Sequence, residues 1–334
     1  MVVLENGNQL EKRYYNYYNN SIKQKQPDEY SYSQYWEAID QHLDGIPQVF
    51  VSLDGIYNQI NIGTLRRPDQ SYIIEHTDIF LIGNSKDLAE SRSRTSAPKE
   101  GDKTAWMVGF PNFGSTGSID PLPGTKVEIE SLKPILERSG YVVQIFMEND
   151  AREENLKRVS NPDLLHIATH GFFIQSLDLS KEQVFGIDVE KVSEEPLLRS
   201  GLMLAGAETA LNGEIGIDLS GDDNGILTAL EVVTLSLDNT DIVVLSACET
   251  GLGDVKNGEG VYGLQRAFMV AGAQSVVMSL WKVSDQATQE LMTDFYDIWL
   301  KTGNKAQAFK QAQLNLKRSY PHPYYWGAFV LVGV

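Results

Sequence analysis

Short runs of Val, Ile, Leu and Met recur through the last two thirds of the chain, and they constrain its fold more than any other feature. They are TAWMVGF (104–110), YVVQIFM (141–147), DLLHIATHG (163–171), DIVVLSA (241–247) and QSVVMSLW (274–281), with WGAFVLVGV at the end. None alternates apolar with polar residues, so each predicts a strand buried on both faces. Stretches with helical spacing lie between them: VEIESLKPILERSG (127–140) with a candidate kink at Pro134, AREENLKRV (151–159), TALEVVTLSL, EGVYGLQRAFMVAGA (259–273), and two helices over 284–301 and 304–318. This alternation predicts an α/β fold, a mostly parallel sheet covered by helices on both faces. Reacting or binding groups collect at the carboxyl ends of such strands. Two places therefore stand out, THG after DLLHIA and ACETG after DIVVLS.

The first 95 residues have another rhythm. Residues 1–45 are polar and tyrosine-rich (Tyr14, Tyr15, Tyr17, Tyr18) and read as helix, with Tyr35, Ile39 and Leu43 at helical spacing and Gly45 as a stop. QVFVSL (48–53) reads as a strand, Asp54-Gly55 as a turn and YNQINIG as the returning strand, with one or two more in YIIEHTDIFLIG (72–83). Residues 84–103 carry almost no apolar side chains and read as a linker or exposed loop. The expected organisation is a smaller helix-plus-strand region over 1–95, a linker over 96–103 and the main α/β core over 104–334.

Charge and cysteine usage narrow the function. The chain has 28 Lys and Arg against 45 Asp and Glu, a formal net charge of −17. That balance argues against non-specific nucleic-acid binding and against docking on anionic membranes, and suits a cationic substrate or partner. A single cysteine, Cys248, excludes an internal disulfide framework and a multi-thiolate metal site. No apolar run approaches the ~18 residues of a membrane span. The first nine residues lack the basic and apolar regions of a secretory signal, so the expected compartment is the cytoplasm.

Taken alone, Cys248 reads as a small buried hydrophobe and His170 as an idle polar residue at a strand end. Together they read differently. A cysteine protease needs a thiol that reaches the thiolate, a histidine that protonates the departing amine, and N–H donors for the oxyanion. Parallel strands can bring together a His and a Cys that lie 78 positions apart, and Gly171 leaves its N–H open to a substrate carbonyl.

DLLHIATHGFF and DIVVLSACETGLGDVKNGEGVYGLQRAFMVAGAQSVVMSLWKVSDQAT resemble the CHAT family, caspase-like proteases of bacteria related to separase and often fused to helical repeats. The segments VFVSLDGIYNQIN and IFLIGNSKDL are also similar to the pseudo-protease-like region preceding the core in that family. The resemblance implies a caspase-like fold, His170 as general acid/base, Cys248 as nucleophile, and the backbone N–H groups of Gly171 and Cys248 as oxyanion hole. It implies a protein substrate, no cofactor and no metal, and a regulatory protein or repeat domain as partner. SLWKVSDQAT further resembles a separase stretch whose aspartate pairs with arginine before the cut. The matching residue is Asp285, where a carboxylate would select a guanidinium by a bidentate pair. Ser284-Asp285 equally reads as a helix N-terminus.

The expected function is thus a latent cysteine endopeptidase cutting after a basic residue. Loops over 174–200 and 208–226 are able to cover the site, and Lys256 is a candidate self-processing position. The alternative is a catalytically silent scaffold or binding module. Other motifs read more plainly. His166 and His170 are about 13 Å apart in a strand, too far for one ion, so His166 reads as a core residue or a support behind the site. Gly258, Gly260 and Gly263 match G-x-G-x-x-G but begin too far beyond the strand for a dinucleotide loop. Residues 220–225 with Glu231 approach a calcium loop, while Thr228 and Glu231 fit a helix capping box.

Overall fold

The computed structural model describes residues 12–83, 101–174, 183–184, 187–211, 223–247, 254–256 and 260–333. Cys248, Gly258 and residues 220–222 lie outside these, as do residues 84–100 of the expected linker and parts of both acidic loops.

The strands are β1 (Gln48–Ser52), β2 (Asp78–Ile82), β3 (Lys103–Pro111), β4 (Tyr141–Glu148), β5 (Leu164–Ala168), β6 (His170–Phe173), β7 (Gln183–Val184), β8 (Ile187–Asp188), β9 (Ser200–Met203), β10 (Ile226–Thr228), β11 (Ile242–Leu245), β12 (Asp254–Lys256), β13 (Gly260–Tyr262), β14 (Ser275–Ser279) and β15 (Phe329–Gly333). The helices are α1 (Lys12–Lys23), α2 (Ser31–Tyr35), α3 (Glu37–Asp40), α4 (Pro123–Arg138), α5 (Glu153–Lys157), α6 (Val189–Glu194), α7 (Ala207–Leu211), α8 (Ala229–Val232), α9 (Leu264–Val270), α10 (Asp285–Thr302), α11 (Lys305–Ser319) and α12 (Pro323–Trp326).

Eight strands form one sheet in the order β1-β2-β15-β14-β11-β5-β3-β4. All its pairings are parallel except β14 with β15. β5, β11 and β14 are buried at every position, as uninterrupted apolar runs require. α4 packs on β3, β4 and β5 and against α10, which packs on α11, while α8 and α9 pack on each other and α9 on β14. A smaller antiparallel sheet, β10-β9-β6, stands at the carboxyl end of β5 over its own apolar cluster, which includes Phe113, Ile119, Phe172, Met203 and Ala207.

α10 follows from its sequence in full. Ser284 Oγ accepts the Ala287 N–H, apolar Leu291, Phe295 and Trp299 repeat along its buried face, and Gly303 closes it at φ 74. Other expectations need correction. YNQINIG is not a returning strand: residues 55–59 and 62–64 form 3₁₀ turns, and β1 pairs in parallel with β2. Asp54 accepts the Gly55 N–H and Asn61 the Gly63 N–H, so the polar side chains cap local turns instead of leaving the backbone to a ladder. The helix expected over 33–45 is two short pieces broken at Trp36, which is buried at φ −133. The expected capping box does form: Thr228 and Glu231 bond reciprocally at the start of α8.

A charged knot ties α5 to the segment leading into β10. Glu153 is fully buried, and its Oε2 accepts the N–H groups of Asn224 and Gly225 at 3.0 and 3.1 Å. Lys157 Nζ lies 2.5 Å from Glu153 Oε1 and 3.0 Å from Glu231 Oε1. One ammonium serves both carboxylates, and the buried one keeps its proton longer. Burial pushes Glu153 up to about 7, with Lys157 pulling it back and Glu231 adding to the rise. A pKa raised on folding stabilises the native state below the ordinary value of 4.5, and that contribution is lost as pH rises through about 7. Glu153→Gln cannot titrate. Urea unfolding from pH 4.5 to 8 should show the wild type losing up to ~3 kcal/mol relative to this variant; parallel stability curves would refute the assignment.

Candidate active site

The site is built on the pairing of β5 with β11. Their parallel register sets Val244 beside His166 and Leu245 beside Ile167, and the Ser246 N–H continues it to the Ile167 carbonyl at 2.9 Å. Both strands therefore stop at the same height. The chain from β5 turns at Thr169, whose hydroxyl donates to the Met203 carbonyl, and starts β6 with His170 opposite Met203. The chain from β11 reaches Ala247, one residue before Cys248. His170, Ser246, Ala247 and Asp285 line a single pocket at this end of the sheet.

His170 is half-buried, with its ring 5.4 Å from that of Phe113. Its Nε2 lies 2.8 Å from the Asp120 carbonyl oxygen. A carbonyl only accepts, so Nε2 carries the hydrogen, and in the neutral ring Nδ1 is the basic nitrogen. A backbone carbonyl thus orients the imidazole, a partner invisible in a sequence because every residue has one. Gly171 follows within β6, opposite Leu202.

Asp285 is the first residue of α10. Ser284 supplies the cap, leaving the Asp285 carboxylate to face α4. It packs on Gly124 so closely that a Cβ there would lie 2.5 Å from Asp285 Oδ2. Glu128, one turn further along α4, lines the deeper part of the same pocket. The other wall is Trp281, whose Nε1 donates to the Tyr324 carbonyl at 3.0 Å and whose ring meets Tyr18 of α1 edge-on at 6.4 Å. Of the N-terminal tyrosines, Tyr18 is part of the packing behind the pocket, buried and with its hydroxyl bonded to Thr64 at 2.8 Å, whereas Tyr17 is exposed.

His166 stands behind the site, fully buried. Its Nδ1 bonds the Tyr296 hydroxyl at 2.9 Å, and its Nε2 lies 3.2 Å from Glu128 Oε1. Glu128 Oε2 accepts the Ser246 hydroxyl at 2.9 Å. A chain of buried polar groups thus runs from α10 through β5 and α4 to the segment leading into Cys248. Burial, with the Glu128 charge adding to it, raises Tyr296 well above its ordinary value, so its hydroxyl keeps its proton and can donate. Sequence reasoning missed Glu128, although there was a signal: it lies one turn before Leu132 on the buried stripe of α4. Glu128→Ala would leave the Ser246 hydroxyl and the His166 imidazole short of partners in a dry interior. Urea unfolding should register a loss of about 3 kcal/mol, and Glu128→Gln, which keeps an acceptor for Ser246, should lose less.

Similarity to known proteins covers most of the chain. The CHAT domain family model matches residues 31–334. Tetratricopeptide repeat protein 28 of Homo sapiens is 24% identical over 300 residues, which is 86% of this chain and 12% of that protein. Its Mus musculus counterpart is 35% identical over 111 residues, 32% of this chain and 4% of that protein. The chain thus spans only a small part of the relatives it matches. Among solved structures, the Saccharomyces cerevisiae separase–securin complex is similar at a TM-score of 0.51 and 12% identity, covering 85% of this chain and 15% of the matched one. The Arg-specific cysteine proteinase gingipain R matches at a TM-score of 0.48 and 12% identity, over 94% of this chain and 67% of that one.

Proposed function

The chain belongs to the CHAT family, and from that premise we propose that it is a cysteine endopeptidase working through His170 and Cys248. One observation carries the reading: His170, its ring fixed by a backbone carbonyl, shares a pocket with Ala247, one peptide bond from the only cysteine.

The chemistry follows from the groups present. The Cys248 thiol gives its proton to His170 Nδ1 and the thiolate attacks the peptide carbonyl. The Gly171 and Cys248 N–H groups receive the oxyanion. As the tetrahedral species collapses, the C–N bond breaks and the imidazolium returns its Nδ1 proton to the leaving amine. Water then loses a proton to Nδ1 and attacks the thioester, releasing the carboxylic product and restoring the thiol. Through both steps the Nε2–H bond to Asp120 is retained, so only one ring nitrogen exchanges protons.

Asp285 supports a preference for a basic residue before the cut. Ser284 supplies the helix cap and Asp285 lines the pocket, where a guanidinium could pair with its carboxylate in bidentate fashion. Control by a repeat-bearing partner is supported by the matched segment's small share of a tetratricopeptide repeat protein. Among the described residues no helix is long and apolar enough to cross a membrane.

Intact mass after incubation with an electrophilic arginyl peptide ketone tests both assignments. Wild type should gain one adduct, and Cys248→Ala none. Asp285→Ala should label at least tenfold more slowly with the arginyl probe yet keep its rate with a small apolar one. Labelling that survives Cys248→Ala would overturn the nucleophile, and equal arginyl rates in Asp285→Ala would remove the basic pocket. A folded protein that no such probe labels would favour the scaffold reading.

A further inference from the structure

The carbonyl that orients His170 belongs to Asp120, in the loop between β3 and α4. Such a loop has no sheet ladder to hold it, so something else must fix it. Two of its residues, Phe113 and Ile119, are buried in the small apolar cluster with Ala207 and Ala210 of α7. Apolar contact is non-directional and does not set where a carbonyl points.

Glu208 of α7 supplies direction. It is 2% exposed, and its carboxylate reaches across to the loop rather than to solvent. Oε2 accepts the Thr116 N–H at 2.7 Å and the Thr116 hydroxyl at 2.8 Å, and Oε1 accepts the Ile119 N–H at 3.0 Å. These bonds, that from Ile119 foremost, hold the carboxyl below its usual range. The backbone adds to the grip: the Glu208 N–H donates to the Phe113 carbonyl and the Gly206 N–H to the Asn112 carbonyl, both at 3.0 Å. Gly114, at φ +147, lies against this carboxylate, and a Cβ there would sit 2.6 Å from Glu208 Oε2. α7 directly follows β9, the strand paired with His170. The histidine and the loop that orients it are thus referred to the same short stretch of chain.

We propose that Glu208 is a positioning residue for His170, fixing the 116–120 loop so that the Asp120 carbonyl holds the imidazole in one tautomer. The inference rests on His170 being the acid/base. A buried carboxylate is costly unless hydrogen-bonded, and the donors Glu208 collects converge on the segment that, among the described residues, bonds His170 Nε2. Their loss frees the carbonyl, and with it the choice of which nitrogen carries the proton. A displacement of about 1 Å at a reacting group is enough for roughly 10²-fold in rate.

The test uses Glu208→Gln and the milder Thr116→Val, whose site is solvent-exposed and removes one donor. Ring ¹⁵N resonances, with His170 assigned by His170→Gln, read the tautomer without any turnover. Wild type should show Nε2–H alone. Both variants should show a mixture, with maximal labelling of Cys248 by the arginyl probe slowed at least tenfold in Glu208→Gln and its half-saturating concentration little changed. Unaltered ring resonances together with maximal rates within twofold of wild type would overturn the proposal. If Glu208→Gln does not fold, Thr116→Val decides it on the same resonances. If wild type is not labelled at all, the protease reading fails, and the resonances still decide whether Glu208 sets the tautomer.

Discussion

The register between β5 and β11 is the constraint on which the rest depends. Parallel strands buried on both faces cannot slip by one residue without turning their side chains to the wrong helical layer. Val244 beside His166 and Leu245 beside Ile167 therefore fix where both strands end. Everything that gathers at this end, from His170 to the polar chain behind Ser246, inherits its height from that register. The helices contribute by their starting points. α4 and α10 begin next to each other, close enough for Asp285 to rest on the bare Cα of Gly124.

The central strands could be read in the sequence because burial on both faces leaves a continuous apolar run, which is a local property. Ser284 and Thr228 could be read for a similar reason, since a cap reaches only three residues along. The expected hairpin after β1 failed because an Asp-Gly pair signals a turn without specifying the next element; Asp54 and Asn61 made it a succession of 3₁₀ turns. The helix expected before β1 failed because burial of Trp36 outweighed helical spacing. Around the site, His170 stood out from its place at a strand end and Asp285 through the family resemblance. The groups that orient them were not legible. Asp120 acts through its carbonyl, and Glu208 and Glu128 act on segments 89 to 118 residues away.

Two kinds of interior support the site, and they differ in physical character. On the α4 and α10 side, Glu128, His166, Tyr296 and Ser246 form a buried polar chain, where directional bonds define geometry and a single removal leaves partners stranded. On the α1 side, Tyr18, Trp281 and Trp326 are packed as aromatic bulk, which defines volume more than angle. The pocket has one wall of each kind, so its floor is stiff where Ser246 must be placed and its side is shaped by packing.

The contact between Tyr18 and Trp281 has a practical side. The family match begins at residue 31, which invites trimming the chain there to obtain a minimal unit. Such a cut would discard α1 and expose the back of Trp281, turning a pocket wall into a surface residue. The working unit is thus longer at its front than the family pattern that marks it, because a helix with little family signature supplies a strut that the signature itself leans on.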